Sequence, residues 1–231
     1  MRRASIPALA LPVLALLAAS APLAAKDLLQ RLTAAAPGLD RGVLAMALKA
    51  RECALSRGLA EAPRRLAVID YSLPSTKPRL WVFDLARGSV LHAEHVAHGR
   101  GSGGDMATDF SNVEGSHKSS LGLFSTSETY VGGNGYSLRM DGLEPGVNDR
   151  ARERLLVMHG ADYVNPLQAL RQGRLGRSYG CPAVRPAVAR EVIDSLKQGQ
   201  LLFAYARDPG WLASSRLLRC TRPADGRVAS R

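Results

Sequence analysis

A cysteine and a histidine are the residues of this 231-residue chain whose types and spacing could do covalent chemistry. Cys181 ends the segment Ser178-Tyr-Gly-Cys181, and His159 lies 22 residues before it, at the end of an apolar run. With only three cysteines and five histidines present, this is the best available thiol–imidazole pair. A nearby imidazole activates a thiol by taking its proton or lowering its pKa. The pair predicts a Cys181 nucleophile with His159 as its base.

The residues around Cys181 suit a nucleophile loop. Gly180 permits an unusual backbone angle and close approach of a substrate, and Pro182 stiffens the chain beyond it. The backbone N–H groups of Tyr179, Gly180 and Cys181 are therefore candidates for an oxyanion hole. The alternative is a structural cysteine in a Gly-Cys-Pro turn, because free cysteines are commonly buried and inert.

His159 ends a strand-like run and is followed by Gly160, a position that can present an imidazole to a cleft. The carbonyl of Gly160 could hold one ring nitrogen and leave the other to act as base. The alternative is an ordinary core histidine.

Several further side chains are candidates to bind substrate because of their local placement. Arg177 is forced close to Cys181 by sequence, and arginine can clamp a carboxylate with two parallel hydrogen bonds. The weaker candidates are Ser178, Tyr163, Ser119 and His98. Ordinary surface or structural roles are the alternative for each of them.

No metal or cofactor is expected. Residues 99–104 match G-x-G-x-x-G, but no clear helix follows, so we interpret them as a loop bordering the site. His92, His95 and His98 cannot all converge from one strand, because alternate side chains face opposite sides. They also lack a matching cysteine or acidic cluster for zinc.

The N-terminus has the order of a secretory signal peptide: Met1-Arg-Arg3, an apolar run over 6–19, and small residues before Lys26. We expect a signal peptide over 1–25 and a periplasmic or cell-envelope location, with an uncleaved anchor as the alternative. The net charge is +11, and +9 without the two leading arginines. Such basicity suits peripheral contact with an anionic envelope, and export argues against nucleic acid as the partner.

The remaining chain predicts one mostly β (α+β) catalytic domain behind a small helical element. The helical element spans 26–62, the catalytic domain 63–208 and the C-terminal tail 209–231. Asp40 is the expected N-cap of a second helix, and Pro186 opens a further helix over 186–198. Strands are expected at 66–71, 80–85, 90–97, 121–125, 136–140, 155–159 and 201–205.

Three cysteines allow at most one internal bridge. A Cys53–Cys220 disulfide that leaves Cys181 free is one hypothesis. An unbridged, buried Cys53 with an unpaired Cys220 is equally consistent with the sequence.

The pairing of His159-Gly160 with Ser178-Tyr-Gly-Cys181 resembles the active-site signature of YkuD-type L,D-transpeptidases, and more closely the murein L,D-transpeptidase catalytic domain family. The likeness extends over most of 64–206. Its segments are His98-Gly99 with Ser102-Gly103, Phe110-Ser-Asn112, 119–124, 135–138, 154–163 and 173–183.

This resemblance implies a YkuD-like β-sandwich or barrel and an exported enzyme that acts on peptidoglycan stem peptides, both donor and acceptor. It implies Cys181 as nucleophile, His159 as base and the Gly160 carbonyl as its orienter. Two positions depart from the family pattern: Tyr179 stands where histidine is common, and Ala183 stands where a polar or basic residue is usual. The oligomeric state is not predicted.

Competing functions are an L,D-carboxypeptidase, a cysteine peptidase, a sortase-like enzyme and a non-catalytic wall-binding module. Cysteine peptidases commonly place the cysteine before its histidine, whereas no histidine follows Cys181 here. Arg185 is the feature shared with sortases, but the loop and the spacing differ from theirs.

Overall fold

The computed structural model describes residues 21–220, so most of the predicted signal peptide lies outside the described residues. The strands are β1 Arg65–Asp70, β2 Leu80–Asp84, β3 Ser89–Glu94, β4 Gly122–Gly132, β5 Gly135–Gly142, β6 Val157–Gly160, β7 Ala183–Val184 and β8 Leu201–Tyr205. The helices are α1 Ala21–Ala35, α2 Arg41–Ser56, α3 Pro166–Gln172, α4 Pro186–Leu196 and α5 Pro209–Ser214, with a 3-10 turn at Arg100–Ser102. Within this part of the chain, no helix combines the length and apolar character needed to cross a bilayer.

The eight strands form one sheet in the order β3-β2-β1-β8-β4-β5-β6-β7. Its two edges, β3 and β7, approach each other, because Ala97 just beyond β3 bridges Ala183 of β7 with an N–H···O distance of 2.8 Å. The sheet is therefore nearly closed and barrel-like. The mostly β fold class expected from the sequence is confirmed.

The core lies where the central strands are inaccessible on both faces. All five residues of β2 and all five of β8 are buried, as are five of the six in β1. Helix α4 packs its buried residues Ala189, Val192, Ile193 and Leu196 against this sheet. Burial on both faces explains why these strands appear in the sequence as nearly continuous apolar runs.

The helical predictions hold with shifted ends. The Asp40 carboxylate caps α2 by accepting from the N–H groups of Gly42 and Val43. Helix α4 ends two residues before the predicted 198, and Gly199 follows in the left-handed region at a φ of 75°.

Two helices and one strand, α3, α5 and β7, were not predicted from the sequence. Helix α3 is short and exposed, and β7 has only two residues, so neither leaves a clear periodic pattern. The predicted C-terminal tail over 209–231 begins with a helix. This segment contains α5, and Trp211 is buried there against Phe203 and Tyr205.

Cys53 and Cys220 form the disulfide that the sequence left open, with their Cα atoms 5.9 Å apart. The bridge ties the end of the described chain to α2. Cys181 is a free cysteine.

Candidate active site

Parallel pairing of β6 with β7 brings the cysteine to the histidine strand. His159 lies opposite Ala183 in this register, so Cys181, two residues before β7, lies against the start of β6. The thiol Sγ accepts from the N–H of Val157 at 3.5 Å and donates to the carbonyl of Leu155 at 3.7 Å. Cys181 is 9% exposed.

Burial raises the pKa of the Cys181 thiol, while the Val157 N–H and the nearby Arg154 guanidinium act in the opposite direction. The net direction is upward. The resting sulfur is therefore a neutral thiol at pH 7 rather than a thiolate, and it needs a base to become a nucleophile.

His159 has the tautomer that a base requires. Its Nδ1 lies 3.0 Å from the carbonyl oxygen of Gly160, which can only accept, so Nδ1 carries the hydrogen and Nε2 is left as the acceptor. Burial lowers the pKa of His159, and the Gly160 carbonyl opposes that shift. The imidazole is thus neutral at pH 7. Among the hydrogen bonds of residues 21–220, none joins this ring to the thiol.

The Ser178 side chain holds the nucleophile loop from inside. Its hydroxyl donates to the carbonyl of Cys181 at 2.7 Å and accepts from the N–H of Gly180 at 3.0 Å. Gly180 has a φ of 125°, which only glycine adopts readily. The Gly180 N–H therefore already has an acceptor in this structure, in contrast to the free donor that an oxyanion hole requires. The N–H groups of Tyr179 and Cys181 have no backbone acceptor within the described chain.

Ser119 and His98 are also buried, and both form hydrogen bonds with the loop of residues 178–181. The Ser119 hydroxyl accepts from Gly99 N–H at 3.0 Å and donates to the Gly180 carbonyl at 2.9 Å. The His98 carbonyl accepts from the N–H of Ser178, and the imidazole Nδ1 of His98 accepts from the Arg79 guanidinium at 2.7 Å. Ser178, Ser119 and His98 are all enclosed by protein, and in this structure their hydrogen bonds shape the loop. Their expected contacts with substrate stay a prediction.

Arg177 and Tyr179 flank the loop on the glycine-rich side. Arg177 donates to the Gly103 carbonyl at 2.7 Å, which fixes residues 99–104 beside the site, as expected for that segment. Tyr179 is 66% exposed. Its ring centroid lies 4.6 Å from that of His117 and 4.4 Å from the Arg100 guanidinium carbon.

Tyr163 lies near both catalytic candidates. Burial and the neighbouring Cys181 raise the pKa of its phenol. With His159 and Gly160 it lines a groove of about 550 Å³. The other lining residues are Gly133, Asn134, Tyr136, Ala161, Asp162, Pro186, Ala189 and Arg190.

Arg154 is the important residue that the sequence did not single out. Its guanidinium donates to four neutral oxygens between 2.5 and 3.2 Å, on Ser111, Ser120, Ser116 and Lys118. Its Nε is buried with no partner among the described residues, and no carboxylate there forms an ion pair with it. Arg154 is therefore an uncompensated cation beside the thiol. The resemblance covered it at the start of 154–163, but no spacing rule connected it to Cys181.

Leu155 carries the carbonyl that meets the thiol, and its backbone is in the left-handed region at a φ of 55°. A bulky residue there is strained, and such strain is common next to functional groups. In the described part of the chain, no three His, Cys, Asp or Glu side chains come together to hold a metal ion.

The chain belongs to the L,D-transpeptidase catalytic domain family, whose model matches residues 35–205. The resemblance expected from the His159-Gly160 and Ser178–Cys181 segments is thereby confirmed at the level of the family. No curated protein matches the chain closely enough to count as a relative.

Solved structures with a similar fold include three from bacteria. An L,D-transpeptidase from Mycobacterium smegmatis is 16% identical over 62% of this chain and 59% of its own, with a TM-score of 0.38. L,D-transpeptidase 1 from Mycobacterium tuberculosis is 13% identical over 62% of each chain, with a TM-score of 0.35. The helical cell shape determining protein Pgp2 (K307A) from Campylobacter jejuni is 12% identical over 64% of this chain and 49% of its own, with a TM-score of 0.40. This chain thus matches less than two thirds of the length of each, and these likenesses are too distant to place any residue.

Proposed function

We propose that the protein is an exported L,D-transpeptidase that acts on peptidoglycan stem peptides through a thioester on Cys181. The observation that carries this proposal is the placement of a free, neutral thiol two residues before β7, beside β6 and its neutral His159 imidazole, whose Nδ1 hydrogen is fixed by the Gly160 carbonyl. Family membership supplies the substrate class.

In the first half-reaction, Nε2 of His159 takes the thiol proton as Sγ of Cys181 attacks the carbonyl of the L-configured diamino acid in a donor stem. The tetrahedral intermediate then collapses, and the bond to the terminal D-residue breaks. His159 returns the proton to the leaving amine. A neutral pair suits these two steps. The His159 imidazole starts uncharged, becomes charged when it takes the thiol proton, and is uncharged again once it has protonated the leaving amine.

The oxyanion formed in each step needs donors that are free in the resting protein. The N–H groups of Tyr179 and Cys181 have no backbone acceptor within the described chain, that of Cys181 interacting with its own thiol, whereas the N–H of Gly180 is held by Ser178. One lost donor of this kind typically costs about 2.7–4 kcal/mol of barrier.

In the second half-reaction, an amine of a neighbouring stem attacks the thioester, gives a proton to His159 and releases the Cys181 thiol. This outcome forms a cross-link. Water in place of the amine would make the protein an L,D-carboxypeptidase, and the products of the test below distinguish the two.

Three features support export to the cell envelope. The N-terminus has the order of a signal peptide, the Cys53–Cys220 disulfide is typical of oxidising compartments, and the net charge of +11 suits an anionic envelope.

The test is intact mass spectrometry of the protein after incubation with a tetrapeptide stem, with product analysis. We expect an adduct of the acyl tripeptide on Cys181 and new cross-linked peptides. Cys181→Ala removes the adduct, and His159→Gln slows its formation. A protein that binds wall fragments but forms no adduct would be a wall-binding module, and an adduct that persists in Cys181→Ala would refute the assigned nucleophile.

A further inference from the structure

The groove of about 550 Å³ opens on the base and not on the nucleophile. His159, Gly160 and Tyr163 line it, whereas Cys181 does not. An amine that enters this groove therefore lies next to the His159 imidazole, which must exchange a proton with it. This is the place required for the amine that leaves in acylation and for the amine that attacks in the second step, because the second step retraces the first.

One wall of the groove carries a cation without an ion-pair partner. Arg190 is exposed on α4, with its guanidinium carbon 4.4 Å from the centroid of the Tyr136 ring. The Tyr136 hydroxyl is itself held by Asp194 at 2.7 Å, and Lys197 pairs with that carboxylate at 2.9 Å. Within residues 21–220 no carboxylate lies within ion-pair distance of Arg190, and the more distant Asp194, whose pKa the Arg190 charge helps to lower, is already paired with Lys197. The stacked guanidinium is thus held in place with its hydrogen-bond donors free.

The groove also contains an unpaired anion. Asp162 is exposed and follows two residues after Gly160. Within residues 21–220 its carboxylate forms no ion pair or hydrogen bond. A cation and an anion, neither of them in an ion pair within the described residues, thus line the same groove as the base and complement a ligand with the opposite two charges.

We propose that this groove is the acceptor site and that it recognises an α-amino carboxylate, with Arg190 binding the carboxylate and Asp162 attracting the ammonium. The inference rests on the proposed function and adds the chemistry that selects the acceptor. The leaving D-residue has its nitrogen and carboxylate on one carbon, so an acceptor with the same arrangement fits the same site.

The proton balance of the second step follows from this placement. The ammonium loses one proton to water as it enters, and the free amine attacks the thioester carbonyl. The second proton goes to Nε2 of His159, the C–S bond breaks, and the departing sulfur takes that proton back. The new C–N bond replaces the C–S bond, and no further reactant is needed.

The test separates acceptor recognition from acylation. The acyl-enzyme is formed from a donor stem that ends in a D-residue amide, which lacks the terminal carboxylate. It is then partitioned between water and either D-alanine or D-alaninamide. The full chain is compared with Arg190→Gln, with Asp162→Asn, and with Arg171→Gln as a matched control that removes one exposed arginine outside the groove.

We expect Arg190→Gln to lower the aminolysis-to-hydrolysis ratio for D-alanine by about tenfold or more, the scale for one lost hydrogen bond to a charged group. The ratio for D-alaninamide and the rate of acylation by the amide donor stay at the level of Arg171→Gln. Asp162→Asn lowers the ratio equally for both acceptors, because both carry the ammonium.

Equal partitioning of D-alanine in Arg190→Gln and Arg171→Gln would overturn the role of Arg190. An unequal effect of Asp162→Asn on the two acceptors would overturn the role of Asp162. If the unsubstituted protein forms no acyl-enzyme at all, the proposed function fails instead, so the two failures are distinguishable.

Discussion

The backbone of Gly99 lies directly against that of Gly180. A β-carbon on Gly99 would stand 2.8 Å from the Gly180 Cα and 2.3 Å from the carbonyl oxygen of His117. Both obstacles are backbone atoms, which cannot rotate out of the way. The glycine-rich segment is therefore a wall against which the nucleophile loop is formed, and the hydrogen bonds of Ser119 join the two.

Gly99→Ala should displace the nucleophile loop and slow acylation of Cys181 by at least about tenfold, because small misplacements of reacting groups are costly. The matched control is Gly104→Ala, since a β-carbon there meets nothing within 4 Å. Stopped-flow acylation and urea unfolding of both variants provide the measurement. Equal acylation rates in the two variants would contradict a wall at Gly99.

Arg154→Gln should make the Cys181 thiol harder to ionise. The guanidinium is an uncompensated charge that lowers the pKa of this thiol against the larger effect of burial. The rate of alkylation by iodoacetamide, followed against pH, should therefore shift to higher pH in this variant. Arg154→Lys keeps the charge but loses the fork of hydrogen bonds to Ser111 and Lys118, so its alkylation profile should stay nearer that of the unsubstituted protein. Identical shifts in both variants would assign Arg154 to loop packing alone.

His98 should make the fold sensitive to acid. Burial, with the adjacent Arg79 charge, lowers the pKa of His98 to about 4 from 6.5 in the unfolded chain. Between these values the unfolded state binds more protons, so stability is lost as the pH falls from 6.5 towards 4, by about 3 kcal/mol in all. Above pH 6.5 the ring is neutral in both states and contributes no pH dependence.

His98→Asn checks this prediction, because an amide oxygen can accept from Arg79 but cannot take a proton. Urea unfolding at pH 7 and pH 4 should show a smaller loss of stability in the variant. Burial raises the pKa values of Asp70 and Glu144, which gives the opposite dependence, but that contribution is common to both proteins. Parallel stability curves would show that His98 is not the group responsible.

Removing the Cys53–Cys220 bridge should affect stability and not chemistry. The disulfide closes most of the chain into one loop, with a sequence separation of 167 residues. In Cys53→Ser/Cys220→Ser the free energy of unfolding should fall by about 2–4 kcal/mol. The acylation rate of Cys181 in the folded variant should be unchanged, and unfolding of the unsubstituted protein in reductant should match that of the variant. A large loss of acylation in the folded variant would contradict this separation.

Much of the fold was predictable because burial leaves a pattern in sequence. The runs of β1, β2 and β8 are buried on both faces, and the Asp40 cap and Pro186 start are local chemical signals. The short β7 and the helices α3 and α5 were not predictable in this way. Their formation depends on distant contacts, such as that of Trp211 with Phe203.

In the candidate site, too, some residues could be predicted from the sequence and others depended on tertiary contacts. Cys181, His159 and Gly160 could be predicted as nucleophile, base and orienting carbonyl because such roles depend on residue type and order, and these roles stay predictions. The roles of Ser178, Ser119 and His98 could not be predicted, since a buried hydroxyl and an exposed one have the same sequence signature. Arg154 escaped notice because its charge matters only through proximity to a residue 27 positions away.

The sequence by itself determined the kind of chemistry and the apolar segments of a sheet: a thiol in a glycine-containing loop, an imidazole followed by glycine, and enough apolar strands to enclose them. Only the tertiary structure decided that the thiol is buried with its pKa raised, that the Gly180 N–H is already engaged, and that Arg154, without an ion pair among the described residues, acts electrostatically on the sulfur. The physical reason is that burial and charge compensation depend on distances between segments far apart in the chain. These distances are fixed only when β6 and β7 pair and the sheet closes at Ala97 and Ala183.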